Sequence, residues 1–296
     1  MKAAIVKAPG ATPEYGEVAE PTPGPDEVVG TVLAAGLHVL VRGLAAGQHY
    51  ASDGVWPMVP GVDGVARLPD GRRVYFGGLR GPSGTMAERA AVGRRAFALP
   101  AGGTDAHYAA VMNPGLSSWL ALRERAGFVA GESVLVLGAT GASGRLALQV
   151  ARRLGAGRVI AAGRDRDALA RLDADAHVPL ESAALAGLGP VDIVLDYLWG
   201  EVAEMTLASL AKGRTRYVHL GSMAGDTIRL PGAVLRSSAL QLLGSGLGSV
   251  PAEALAREIP AFLEVAPSLQ LDVDVVPLQD VARVWNDTTR RVVFVP

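Results

Sequence analysis

The sequence predicts an α/β protein in which a doubly wound parallel sheet accompanies a second, all-β unit. Three observations predict it. Val134-Leu135-Val136-Leu137 passes through Gly138, Gly141 and Gly144 into an amphipathic run ending near Gly155. Beyond that run, apolar strands and helical stretches alternate, and both flanks are rich in Gly and Pro with short β-type runs between turn signals.

In the first hundred residues those runs are Ala3-Ala4-Ile5-Val6, residues 27–33 and Arg73-Val74-Tyr75-Phe76, separated by Pro23-Gly24-Pro25-Asp26 and Pro69-Asp70-Gly71, as in an irregular barrel or sandwich. From Asn113 the texture changes. Residues 117–126 have helical periodicity. They are followed by strand 133–138, helix 144–154, strand 158–162, helix 165–172, strand 191–196, helix 200–211 and strand 216–220, the order of parallel βαβ units. Gly155 and Gly213 stand where helix C-caps fall. Leu240-Gln241-Leu242-Leu243 adds a strand and 252–266 a helix. The tail, with Asp272-Val273-Asp274-Val275-Val276 and 291–295, has the character of the first hundred residues and is expected to rejoin them. The expected domains are 1–112 with 253–296, and 113–252.

Composition excludes several classes of function. The 296 residues carry a net charge of −1, and pairs such as Arg72-Arg73, Arg94-Arg95 and Arg152-Arg153 are scattered, so no basic face invites nucleic acid. There is no cysteine, hence no disulfide, thiolate metal site or cysteine nucleophile. No stretch approaches the ~20 apolar residues of a membrane span, which predicts a cytoplasmic protein without a membrane partner.

The glycine turn carries the most chemistry. Glycine serves there for the sharp strand-to-helix reversal, for close approach of backbone to phosphate, and for tight helix–strand packing, so Ala139, Thr140, Gly141, Ala142, Ser143 and Gly144 are candidate dinucleotide contacts. An acidic residue at the end of the second strand selects NADH, and a basic one accommodates a 2′-phosphate. Here that strand runs into Gly163-Arg164-Asp165-Arg166. Gly163 leaves room for the phosphate, and Arg164 with Arg166 offers planar donors, which favours NADPH. On the competing reading, Asp165 caps the next helix and the arginines are a solvated face.

These residues, together with Pro21-Thr22-Pro23-Gly24-Pro25-Asp26-Glu27-Val28, Ala34-Ala35-Gly36-Leu37, Pro60-Gly61-Val62-Asp63-Gly64, Gly84-Thr85-Met86-Ala87-Glu88 and Asp192-Ile193-Val194-Leu195-Asp196, follow a known order. Over nearly its whole length the chain resembles the medium-chain dehydrogenase/reductase superfamily, in its zinc-free quinone oxidoreductase (zeta-crystallin-like) branch. The resemblance implies a GroES-like β-barrel domain formed by both chain ends, a Rossmann domain between them, and an active site in the cleft where they meet. Zinc-dependent members ligate metal through Cys after Ala-Ala-Gly and His in a Gly-His-Glu element. Here those places hold His38 or Val39, and Val62 with Asp63, so no zinc is expected. The stretch from Gly64 to Phe76 is shorter than usual in the family.

The resemblance also places Tyr50 where quinone reductases carry a substrate-facing tyrosine, a competent proton donor. His38 and His49 are the titratable alternatives, each also readable as an ordinary hydrogen-bonding histidine. Asn113 and Ser117 match positions near the nicotinamide, or else cap a helix. Leu198, Gly221, Ser222, Gly244 and Ser245 follow strands whose ends touch the nicotinamide and its ribose in relatives, or are plain turn residues. Asp63 and Asp196 show no base-like partner in the sequence and receive no catalytic role. The expected function is zinc-independent hydride transfer from NADPH to a quinone or α,β-unsaturated carbonyl. The alternative is a nucleotide-binding sensor or structural protein with little turnover. A homodimer is expected, pairing through the apolar strand 240–243.

Overall fold

A computed structural model describes residues 1–77, 82–93, 96–210 and 214–296, with the Leu247 side chain apart. The expected cap at Gly213, the last residue of the expected helix 200–211, and the Arg94-Arg95 pair lie outside the described residues. The chain divides into two compact units, one of Met1–Asn113 with Ile259–Pro296 and one of Pro114–Glu258.

The first unit is built on a seven-stranded sheet. Its order is Asp274–Pro277, Val292–Val295, Val28–Gly36, Asp63–Arg67, Arg73–Gly77 and Ala96–Ala98, with Arg89–Val92 also pairing Val28–Gly36. All pairings are antiparallel except that of Asp274–Pro277 with Val292–Val295, so the C-terminal tail does enter the sheet of the first hundred residues. Lys2–Ile5 and Glu14–Glu17 form a separate antiparallel pair. One face buries Ala35, Leu37, Val41, Leu278, Trp285 and Phe294; Val32, Val74, Phe76 and Val92 form a second cluster. Gly36 admits no side chain, because a Cβ there would lie 2.4 Å from the Ala109 carbonyl oxygen and 2.7 Å from the His38 ring.

The second unit holds a six-stranded, wholly parallel sheet. Its order is Ala176–Pro179, Arg158–Gly163, Ser133–Leu137, Ile193–Asp196, Arg216–His219 and Gln241–Gly244. In sequence this is 3-2-1-4-5-6, the doubly wound arrangement whose order reverses between the first and fourth strands. Near-continuous apolar strands such as Ser-Val-Leu-Val-Leu are buried on both faces, as a parallel sheet requires. Ala142–Arg153 packs Leu146, Ala147, Val150 and Ala151 inward and ends at Gly155, whose φ of +90° takes the left-handed conformation of a helix stop.

Several elements differ from the expectation. Ala176–Pro179 is a strand and Ser182–Ala186 a short helix where the sequence pattern showed neither. The helix expected from 117 begins at Asp105, continues to Leu120 and closes in a π turn over Ala121–Arg125. It runs through Pro114, whose missing N–H leaves the Ala110 carbonyl without its helical donor; Arg291 Nη2 donates to that carbonyl instead, at 2.6 Å. Asn113 and Ser117 are therefore mid-helix residues, and neither caps a helix end.

Candidate dinucleotide and active site

The turn after Ser133–Leu137 is anchored before the helix begins, with the amides of Gly138 and Ala139 both donating to the Ala162 carbonyl, at 3.0 and 2.9 Å. Gly138 has φ +84°, and a Cβ on Gly144 would lie 2.3 Å from the Gly138 carbonyl oxygen, so both positions require glycine. Gly141 is the N-cap residue and no side chain caps the helix, which leaves the amides of Ala142, Ser143 and Gly144 directed out of its N-terminus. Free amides and the positive end of the helix dipole at such a terminus are suited to an anion. Arg145, absent from the expected contacts, brings a guanidinium to the same turn, its Nε donating to the Thr140 carbonyl at 3.0 Å.

At the end of the second strand the two arginines differ. Arg164 is exposed and has no hydrogen bond or ion pair among the described residues, whereas Arg166 Nη2 is 2.6 Å from Glu181 Oε1. Asp165 does cap the following helix, accepting from the Ala168 amide at 2.9 Å. The space a Cβ on Gly163 would enter is bounded by Thr140 Cγ2 at 3.1 Å and Leu169 Cδ1 at 3.4 Å.

Next to the nucleotide turn, across the switch point, lies 197–200. Asp196 is 0% exposed, and its carboxylate accepts from the amides of Leu198 (2.7 Å) and Trp199 (3.1 Å) and from the Tyr217 hydroxyl (2.8 Å). Burial raises its pKa against the pull of these donors, and burial beside that carboxylate holds the Tyr217 phenol well above its usual value. Ser117 Oγ donates to the Pro114 carbonyl at 2.6 Å and lies 3.3 Å from the Tyr197 hydroxyl, whose pKa burial pushes up to about 12. Trp199 lies against the His219 ring, centroids 4.4 Å apart, and His219 Nε2 is 3.3 Å from Ser222 Oγ. Gly221 donates to the Asp196 carbonyl, and Ser245 to that of His219. The fifth and sixth strand ends thus join the same carboxyl edge as the glycine turn.

Of the residues proposed for chemistry, Tyr50 is 85% exposed, with its ring 4.2 Å from that of His49. His49 accepts from the Ala51 amide at 3.1 Å. Asn113 is half-buried, with no hydrogen bond from its side chain among the described residues. His38 differs from its expected availability. It is 3% exposed, its Nε2 lies 2.6 Å from Asp63 Oδ1, and its Nδ1 meets Arg291 Nη2. An arginine only donates, so Nδ1 accepts and Nε2 carries the proton: the ring is neutral with both nitrogens engaged. Asp63 Oδ2 also accepts from Tyr75 at 2.6 Å. Among the described residues no three His, Cys, Asp or Glu side chains gather as a metal site, and no helix is long and apolar enough to cross a membrane.

Tyr217, His219 and Arg145 are absent from the candidates the sequence offers, and Asp196 is named there only as a residue without a catalytic role. A signal existed for two of them: Tyr217 and His219, two apart on a strand, share a face, and Asp196 is the cross-strand partner of His219.

No protein-family model matches the chain. It is 32% identical to a probable NADPH-dependent quinone reductase, tdiC, of Emericella nidulans, with 100% of both chains covered. It is 32% identical to the 2-methylene-furan-3-one reductase of Solanum lycopersicum over 161 residues, 49% of this chain and 42% of that one. Among solved structures it matches the quinone oxidoreductase of Thermus thermophilus, also solved with NADPH, at a TM-score of 0.83 and 30% identity over 100% of both chains. A doubly wound sheet with a glycine turn at its switch point, joined to a second β unit fed by both chain ends, defines a two-domain dehydrogenase/reductase. The chain belongs to the medium-chain dehydrogenase/reductase superfamily, in its quinone oxidoreductase branch, with a Rossmann and a GroES-like domain.

Proposed function

We propose that the chain is an NADPH-dependent oxidoreductase that delivers a hydride to a quinone or an α,β-unsaturated carbonyl without a metal ion. The observation that carries this reading is the pairing of an uncapped helix N-terminus at Gly141 with the guanidinium of Arg164, which has no partner among the described residues. The first suits a pyrophosphate and the second a 2′-phosphate. Ala139, Thr140, Ala142, Ser143 and Gly144 would hold the pyrophosphate, and Gly163, Arg164 and Arg166 the 2′-phosphate end. Ser117, Leu198, Gly221, Ser222, Gly244 and Ser245 would line the nicotinamide and its ribose. The bound dihydronicotinamide supplies the hydride. What remains for the protein is to exclude water and to donate to the oxygen that gains charge.

Tyr50 presents a free phenol for that donation and Asn113 an uncommitted amide, whereas His38 has neither a proton nor a lone pair to spare. A zinc-independent reaction is supported by the same network, since His38 and Asp63 already bond one another and Arg291 brings a cation against the ring. A homodimer and a cytoplasmic location complete the reading. The edge strand Gln241–Gly244, with Leu242 39% exposed, is the surface where a second copy would pair.

The test is NADPH fluorescence on mixing, followed by oxidation of NADPH with 1,4-benzoquinone and with an enone. Binding with turnover supports the reading, and no binding of NADPH or NADH ends it. Binding without turnover across a broad carbonyl panel identifies a nucleotide sensor instead.

A further inference from the structure

We propose that Asp196 is a positioning residue for the dinucleotide, its buried carboxylate holding 197–200 in the shape that seats Leu198 against the phosphate turn. The inference rests on the nucleotide reading above and adds a residue to which that reading gives no part.

Trp199 has φ 57° and ψ −154°, a region populated almost solely by glycine, and it is the only non-glycine residue with positive φ among those described. Strain of this kind persists only where the surroundings impose it. Here the imposing group is visible. Both oxygens of Asp196 take amides of the turn, and the second also takes the Tyr217 hydroxyl from the neighbouring strand. The far side is tied too, by the Ala224 amide donating to the Leu198 carbonyl at 2.7 Å and that of Met223 to Tyr197 at 3.2 Å. Gly200 follows with φ +57°, where a Cβ would lie 2.7 Å from the Ala224 carbonyl oxygen.

The consequence reaches the nucleotide turn directly. A Cβ on Gly138 would lie 3.1 Å from Leu198 Cδ2, so Leu198 packs on the first glycine of the phosphate turn. Asparagine at 196 offers one acceptor oxygen where aspartate offers two, and its NH2 cannot receive an amide or a hydroxyl proton. The turn must then give up part of its hold, and Trp199 relaxes toward an ordinary conformation, shifting Leu198.

The experiment measures NADPH dissociation constants by fluorescence, with KM and kcat, for the wild type, Asp196→Asn and the double variant Asp196→Asn/Trp199→Gly. Asp196→Asn is expected to raise Kd and KM for NADPH about tenfold with kcat within about threefold. Adding Trp199→Gly is expected to restore Kd to within about threefold of wild type, because glycine takes this conformation without being forced. An unchanged Kd in Asp196→Asn with a lowered melting temperature overturns the proposal, as does a double variant that stays weak. If Asp196→Asn does not fold, Tyr217→Phe is the substitute. It removes one donor and leaves the carboxylate, with an expected rise in Kd of about threefold, and no rise overturns the proposal. A wild type that binds no NADPH overturns the functional reading itself, whereas equal binding by wild type and variant overturns this one alone.

Discussion

His38 Nε2 donates to Asp63 Oδ1 across 2.6 Å, and this pairing turns a candidate proton relay into part of the interior of the sheet. Arg291 is the third member. Burial pulls its pKa down to about 10, so at neutral pH it is a buried cation whose counter-charge is Asp63. Replacing Asp63 with alanine leaves that cation uncompensated, and the expected cost is about 3–5 kcal/mol. A urea titration reads it; a loss below about 1 kcal/mol would show that solvent reaches Arg291.

The same burial sets a pH dependence. Desolvation lowers the pKa of His38 below 6.5 in the folded chain, and His49 and His219 shift in the same direction for the same reason. Below pH 6.5 the unfolded chain therefore takes up protons that the folded chain does not, and stability falls as pH falls toward the folded values. Asp196, raised by burial, titrates with the opposite sign. The urea midpoint should be lower at pH 5.5 than at pH 7.5, and a midpoint that rises contradicts the assignment.

Cofactor choice is expected to rest on Arg164. Arg164→Ala should raise KM for NADPH about tenfold, equivalent to ~1.4 kcal/mol, and leave KM for NADH unchanged. Arg166 is held by Glu181, an exposed pair worth at most about 1 kcal/mol. Glu181→Gln should accordingly lower KM for NADPH by a few fold. Steady-state kinetics with both nucleotides decides, and equal changes for NADH and NADPH argue against a phosphate contact.

Gly144→Ala places a methyl 2.3 Å from the Gly138 carbonyl oxygen, a backbone atom that cannot swing aside. A destabilisation of about 1–3 kcal/mol is expected, together with loss of nucleotide binding. Gly248→Ala, whose Cβ meets nothing within 4 Å, is the control and should bind as wild type.

Tyr50 tests the proton donor. Its exposure predicts that Tyr50→Phe changes stability by less than about 0.5 kcal/mol, while kcat with an enone falls about a hundredfold if the phenol donates. An unchanged kcat removes Tyr50 from the chemistry.

Much of the Rossmann half was legible because its signals are local. The strand Ser133–Leu137, the glycines that follow it and the stop at Gly155 each depend on residues a few positions apart. The helix was legible only from Ser117, because Pro114 removes a helical N–H and the residue before a proline disfavours helix, so nothing local shows the chain staying helical from Asp105. The helix continues because Arg291, 181 residues from Ala110, supplies the donor that Pro114 lacks. Ala176–Pro179 escaped notice because four residues ending in proline carry almost no periodicity; pairing with Arg158–Gly163 makes them a strand.

By itself the sequence determined the class of fold, the glycine turn between strand and helix, the basic end of the second strand and the absence of any thiol, because each is written in contiguous residues. Tertiary structure decided which polar groups are free to act. His38 is closed off by residues 25 and 253 positions away, and Asp196 acquires its hold on 197–200 with the help of a hydroxyl 21 positions along the chain. Whether a side chain is a catalyst or a buried partner depends on which strands become neighbours, and sheet order is a property of the folded chain.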